Sequence, residues 1–275
     1  PAHQPPDHRP VGRGGGFNPS NRCETTRVEP DVEQLAWWEE TLPDDAPVPT
    51  QFLPDRSQSI IASNDSPDVP FHYSVNPYRG CEHGCVYCYA RPTHEQLGMS
   101  SGLDFETRIL VKYDAARLLR RELNRPGWAG ETIAMSGVTD CYQPCERRLR
   151  ITRSVLEVLC EARQATVLAT KNALLLRDLD LLAEMARLRL VHVALSITSL
   201  DAGLARVLEP RTSAPAARLR AITALRAAGV PASVLVSPVI PGLTDHEMAG
   251  ILEASSQAGA LSAGYTLLRL PEAVG

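Results

Sequence analysis

The chain is short of lysine. Only Lys112 and Lys171 occur, and every other strongly basic residue is arginine. Charge of neither sign dominates: the net charge is −4 and the pI about 6.0. No global basic field is therefore available to draw in nucleic acid or an anionic membrane. No stretch approaches the length of a membrane helix. The first thirty residues contain no apolar run of the kind that leads a secreted chain. A disulfide framework is also missing, because the seven cysteines are odd in number and unevenly spaced. These absences fit a reducing cytoplasm. What remains is 275 residues, 44% of them hydrophobic, enough to bury a sizeable core in one large domain or two small ones.

The chain is organised around Cys81-Glu82-His83-Gly84-Cys85-Val86-Tyr87-Cys88-Tyr89. Three cysteines fall within eight residues, with three and then two residues between them. Thiolates are soft ligands suited to iron–sulfur clusters or zinc. A four-iron cluster held by three cysteines keeps one iron open to a further ligand. Gly84 allows the tight turn that brings the sulfurs together. The alternative is a structural zinc site completed by His83, although zinc ligands more often arrive as two separated pairs. The stretch resembles the signature of the radical S-adenosylmethionine (SAM) enzymes, and Tyr87 supplies the aromatic residue before its third cysteine. That resemblance implies a [4Fe-4S] cluster on Cys81, Cys85 and Cys88, with SAM on the open iron. It also implies a reductant such as flavodoxin or ferredoxin.

Along the chain, residues 1–35 are rich in Pro, Gly and Arg and read as a flexible arm. Arg13, set among glycines, reads as part of a solvated tail. Residues 36–70 form an extension packed on the core, with Trp37 and Trp38 suggesting a docked helix. Residues 71–275 form the core domain. Phe71–Val75 reads as a strand delivering the cysteine loop. Phe105–Lys112 looks extended, and Asp114 caps a helix running to Arg125. Strands follow at 132–137, 165–170, 191–198, 232–240 and 265–270. Helices alternate with them at 146–162, 174–188, 214–229 and 245–258, the last capped by Asp245. Apolar runs alternating with amphipathic helices predict an α/β fold with a parallel sheet. Six such strands fall short of a closed eight-stranded barrel. They match the partial (β/α)6 barrel that the resemblance implies over residues 70–270. The chain opens without Met, as a trimmed sequence does, and a further C-terminal segment is expected beyond its sixth strand.

Ligands of parallel α/β barrels sit at the C-terminal ends of strands, so polar residues at each exit are candidates. The second strand exits through Ser136-Gly137-Val138-Thr139-Asp140. Thr139 and Asp140 occupy the place where many members of the superfamily bind the SAM amino group, and Asp140 alternatively caps a helix. Lys171 ends an apolar strand, where a lysine is costly unless an anion or water meets it; the SAM carboxylate or ribose would serve. Ser196 and Thr198 alternate to one side of the fourth strand. In Leu208-Glu209-Pro210-Arg211, Arg211 is a candidate bidentate partner for the carboxylate, the alternative being a Glu209–Arg surface pair. Ser237 lies in the proline-stiffened edge expected against adenine.

Tyr87, Tyr89, Lys171, Ser196 and Ser237 together are similar to the spore photoproduct lyase branch. Asn76-Pro77-Tyr78-Arg79-Gly80 and Ala90-Arg91-Pro92-Thr93-His94-Glu95 more closely resemble a largely uncharacterised bacterial family distantly related to it. The resemblance implies reductive cleavage of SAM to a 5′-deoxyadenosyl radical that takes hydrogen from a substrate. It does not name the substrate, and nucleic acid is one candidate class. Cys141 and Cys145 lie beyond the second strand and have three readings: bystanders on a helix's first turn; for Cys141, a hydrogen donor to a substrate radical; or, least favoured because two cysteines need further ligands, part of an auxiliary cluster. The reading from a different class is a non-catalytic iron–sulfur or zinc protein acting as a sensor or binding module.

Overall fold

The computed structural model describes residues 12–24, 48–66, 69 and 71–270. The helix expected at Trp37 and Trp38 lies outside them. Ten strands occur among the described residues: β1 (Gln51–Pro54), β2 (Ile61–Ser63), β3 (Tyr73–Val75), β4 (Tyr78–Arg79), β5 (Arg108–Val111), β6 (Ile133–Met135), β7 (Thr166–Thr170), β8 (Val191–Ser196), β9 (Ala232–Val239) and β10 (Ala263–Leu267).

Seven of them form one sheet in the order β10-β9-β8-β7-β6-β3-β2. From β3 to β10 every pairing is parallel, which gives the six parallel strands expected. The seventh strand, β2, runs antiparallel to β3 and was not anticipated. The sheet is open, because β2 and β10 are its two edges. A smaller sheet sets β5 between β1 and β4. The central strands bury one face fully, and the other is more open and more polar: it carries exposed Val167, half-buried His192 and the serines Ser196, Ser233 and Ser237. Leu168, Val193, Leu195, Val234 and Val236 are all buried in this core.

Several local expectations change. The helix expected over 146–162 is two segments, Glu146–Leu149 and Ile151–Glu161, broken where Arg150 takes a φ of 54°. The next begins as a 3-10 turn, Ala173–Asp178, before the α-helix Leu179–Arg187. Part of the stretch expected to be extended is helical, Leu103–Thr107, and only then does β5 begin. Asp114 stands at its expected N-cap position, but its carboxylate binds Arg117 instead of the helix's first N–H groups. Asp245 caps no α-helix; it lies in a 3-10 turn and accepts from Gly242 N at 3.0 Å. One unexpected helix matters for the site. Ala202–Leu208 is capped by Asp201, which accepts from Gly203 N at 2.7 Å and Leu204 N at 3.1 Å. It delivers Glu209. Residues 12–24, read from composition as solvated, lie against the core, and Arg13 is buried.

Candidate active site

The cysteine loop leaves β4 and is tied down on several sides. Cys81 N donates to Phe105 O at 2.9 Å, Glu82 N to Gln143 Oε1 at 2.8 Å, and Val86 N to Leu208 O at 3.0 Å. Gly84 takes a φ of +67°, which confirms the turn that its lack of a side chain permits. Cys81 and Cys85 are buried and Cys88 is half-buried. Cys88 packs both with Cys85 and with the group around Cys81, so the three residues share one enclosure. Burial pushes all three thiols up, and Cys85 and Cys88 add to the rise at Cys81.

The donor set fits a cluster better than zinc. A zinc site would need His83 as its fourth ligand, yet both ring nitrogens face elsewhere. Nε2 lies 3.2 Å from Asn172 Nδ2, and Nδ1 lies 3.4 Å from Asp140 Oδ2. Burial lowers the pKa of His83, so the ring is held neutral. Three thiols spaced around one buried loop match a cluster that takes three protein ligands.

Next to this loop, the C-terminal ends of β7, β8 and β9 meet in a charged network. Lys171 Nζ donates to Ser196 Oγ at 2.5 Å and to Ser237 O at 2.9 Å, and lies 3.3 Å from Glu209 Oε1. It also stands 5.7 Å from the centre of the Tyr87 ring. Thr198 Oγ1 donates to Glu209 Oε1 at 2.8 Å, and the Tyr87 hydroxyl and the Arg218 guanidinium bind the same carboxylate. Burial would raise the Glu209 carboxyl, but Lys171 and Arg218 outweigh it and hold it well below the usual carboxylate range. Four of the sequence candidates, Tyr87, Lys171, Ser196 and Ser237, therefore converge, with Ser237 contributing its carbonyl.

The pairing around Glu209 differs from what the sequence suggested. Glu209 is buried, not on the surface, and its arginine partner is Arg218. Arg211 instead lies 3.3 Å from Glu82 Oε1, and its backbone N donates to His83 O at 3.1 Å. Arg218 was missed because it sits in the alanine-rich helix Pro215–Ala227, where an arginine reads as solvent-facing; it is 1% exposed.

Beyond β6, Thr139 is buried and donates to Tyr78 O at 2.8 Å. Asp140 accepts from Tyr142 N, Thr170 Oγ1 and Lys171 N, each at 2.8 Å, and so ties the β6 exit to the β7 exit. Cys141 is fully buried in the main core, where its N donates to Ser136 Oγ and its carbonyl accepts from Thr152. Cys145 is buried there as well. Cys141 has no exposed surface.

The radical SAM superfamily model matches residues 75–254, which include the three cysteines and the strand ends just described. The chain belongs to the radical SAM superfamily. Members of this superfamily use a [4Fe-4S] cluster and SAM. Two similar relatives are uncharacterised proteins of Mycobacterium tuberculosis and Mycobacterium bovis. Each is 47% identical over 177 residues, covering 64% of this chain and 52% of its own length. An uncharacterised protein of Methanocaldococcus jannaschii is 29% identical over 175 residues, 64% of this chain and 63% of its own. The chain thus spans about half the length of the mycobacterial relatives. Among solved structures, a spore photoproduct lyase mutant with bound AdoMet and dinucleoside spore photoproduct has a TM-score of 0.59 at 17% identity. The match covers 81% of this chain and 63% of that one. Streptococcus suis SuiB bound to its precursor peptide has a TM-score of 0.51 at 14% identity, covering 71% of this chain and 39% of that one. These likenesses show the fold, a partial barrel of the radical SAM type. Among the described residues no helix is long and apolar enough to cross a membrane.

Proposed function

We propose that this radical SAM protein is an enzyme that holds a [4Fe-4S] cluster on Cys81, Cys85 and Cys88 and cleaves SAM reductively. The observation that carries the reading is the placement of the buried cysteine loop against the Lys171–Glu209 network at the ends of β7–β9. Cys81, Cys85 and Cys88 would hold the cluster, which would supply the single electron that reductive cleavage of the SAM C5′–S bond to methionine and a 5′-deoxyadenosyl radical requires.

The chain's own residues bind, orient and exclude water. Lys171 is partly open, and its ammonium can meet the SAM carboxylate by turning one of its three N–H groups from Ser196, Ser237 O or Glu209, the others holding it in place. Glu209 also holds Tyr87, which keeps the residue before Cys88 against the strand ends. Tyr89 lies on the other side of Cys88 and donates to Gly137 O at 2.8 Å, drawing the loop toward the β6 exit. Thr139 and Asp140 belong to the wall of the site by position. Their side chains are occupied by protein partners, which assigns them to shaping that wall. Arg211 is assigned to the cysteine loop through Glu82 and His83 and not to SAM. A small electron-transfer protein such as flavodoxin or ferredoxin is the fitting reductant. The substrate is one that a dry barrel mouth can hold close, and a nucleic acid lesion is one such class.

Anaerobic loading with iron and sulfide tests the reading. About four irons per chain, with an electron paramagnetic resonance signal on reduction that changes when SAM is added, would support it. One zinc per chain without iron would favour a non-catalytic binding protein.

A further inference from the structure

We infer that residues 13–22 form a strap that is part of the cluster-binding site and holds the cysteine loop closed from outside; this rests on the reading that the loop carries a cluster. Composition assigns this stretch to a solvated arm, and the family motif after Cys88, Ala90-Arg91-Pro92-Thr93-His94-Glu95, has no part in the network around Lys171. The two account for each other.

The contact begins with two glycines. Gly14 lies directly on the cysteine loop: a Cβ on Gly14 would stand 1.8 Å from Gly84 O. No other residue type fits there without moving one of the two backbones. Beside them is Glu106, wholly buried, whose carboxylate accepts from Gly14 N at 3.0 Å and Gly15 N at 2.7 Å. The same carboxylate binds Arg91 Nη2 at 2.5 Å. Arg91 in turn donates to the carbonyl of Cys85, from Nη2 at 3.0 Å and Nε at 3.3 Å. A continuous chain of charge-assisted bonds therefore runs from the strap to a ligand residue's own backbone.

A second connection reaches the loop's other end. Arg13 donates to Glu106 O at 3.0 Å and to Thr50 Oγ1 at 2.9 Å, and Thr50 donates to Glu82 Oε1 at 2.8 Å, next to Cys81. Farther along, Arg22 grips the buried Glu95 with Nη2 at 2.7 Å from Oε2 and Nε within 3.1 Å of both oxygens. Arg91 and Glu95 of the motif are thus the sockets of the strap, one at each end. A surface loop of backbone carbonyls and glycines would otherwise stand open to water. With the strap in place, its Gly84 carbonyl is covered and the Cys85 carbonyl is held.

The strap positions ligands and takes no part in the chemistry, so its test must read the loop as well as the cluster. The full chain is compared with its Gly14→Val and Glu106→Gln variants, with Arg22→Gln as a milder change at the far end. In the protein without iron, amide hydrogen exchange across Cys81–Arg91 should quicken by about tenfold or more in Gly14→Val and Glu106→Gln, while β7, β8 and β9 keep their protection. After loading, iron should pass to an anaerobic chelator about tenfold faster in both variants, and the resonance spectrum of the reduced cluster should change in Glu106→Gln. Unchanged exchange over Cys81–Arg91 in both variants would overturn the inference. So would equal acceleration throughout the chain in Glu106→Gln, which would make the contact one of general stability. If the unaltered chain takes up no iron, the cluster reading fails, while the exchange result still decides whether the strap holds the loop.

Discussion

Removing the charge of Glu209 while keeping its shape is the most informative single change. In Glu209→Gln the side chain retains an oxygen to accept from Thr198, but the ammonium of Lys171, 3.3 Å away, and the guanidinium of Arg218 lose their counter-charge. Breaking a buried ion pair by neutralising one partner costs about 3–5 kcal/mol, because the remaining charges stay desolvated. For a chain of this size about 1 kcal/mol moves the melting midpoint by roughly 2–4 °C, so a fall of about 6–20 °C is expected. Circular dichroism melts and urea midpoints of the apoprotein read it directly. The pH dependence gives a second check. The folded carboxyl titrates below its ordinary value of about 4.3, so its contribution is complete above that pH and disappears as pH falls below it. The gap between wild type and Glu209→Gln should therefore be constant from about pH 7 to about pH 5 and narrow in more acid solution. Adding Lys171→Met to Glu209→Gln should recover part of the loss, about 0.5–3 kcal/mol, since one stranded charge is gone. A loss below about 1 kcal/mol, unchanged by pH, would refute the claim that this network organises the strand ends.

Three further outcomes follow from the same geometry. Replacing Cys81, Cys85 or Cys88 by Ala should abolish the brown chromophore after iron loading, whereas Cys23→Ala and Cys160→Ala should keep it; a full cluster in Cys85→Ala would overturn the ligand assignment. Lys171→Ala should weaken SAM binding by about 1.5–3 kcal/mol in calorimetry with iron content unchanged, and equal affinity would limit Lys171 to a structural part. Cys141→Ala should cost about 1 kcal/mol of stability as a small core cavity and leave SAM cleavage intact; normal cleavage accompanied by failed product formation would return that thiol to the site as a hydrogen donor.

The large-scale order was legible because period and spacing carry it. Apolar runs such as Val193–Leu195 and Val234–Val236 announce buried parallel strands, and the cysteine spacing announces the loop that carries the superfamily's signature. Lys171 stood out because a lysine ending an apolar strand needs a partner, and the structure supplies Ser196, Ser237 O and Glu209. What the sequence concealed depends on long-range pairing. Arg218 looks like any arginine on an alanine-rich helix until the fold turns it onto Glu209. The segment around Arg13 and Gly14 has a solvated composition, yet its glycines are there for close backbone approach, which composition does not distinguish from flexibility. Cys141 lay beyond the right strand, but local sequence could not say that its side would face the core. Edge strand β2 is only three residues long, too short to show a period.

The central claim is tested most directly by the fate of SAM on the loaded, reduced chain. The account predicts reductant-dependent formation of 5′-deoxyadenosine and methionine in equal amounts, lost in Cys85→Ala. A chain carrying about four irons, reduced and mixed with SAM, that leaves the SAM intact would contradict it.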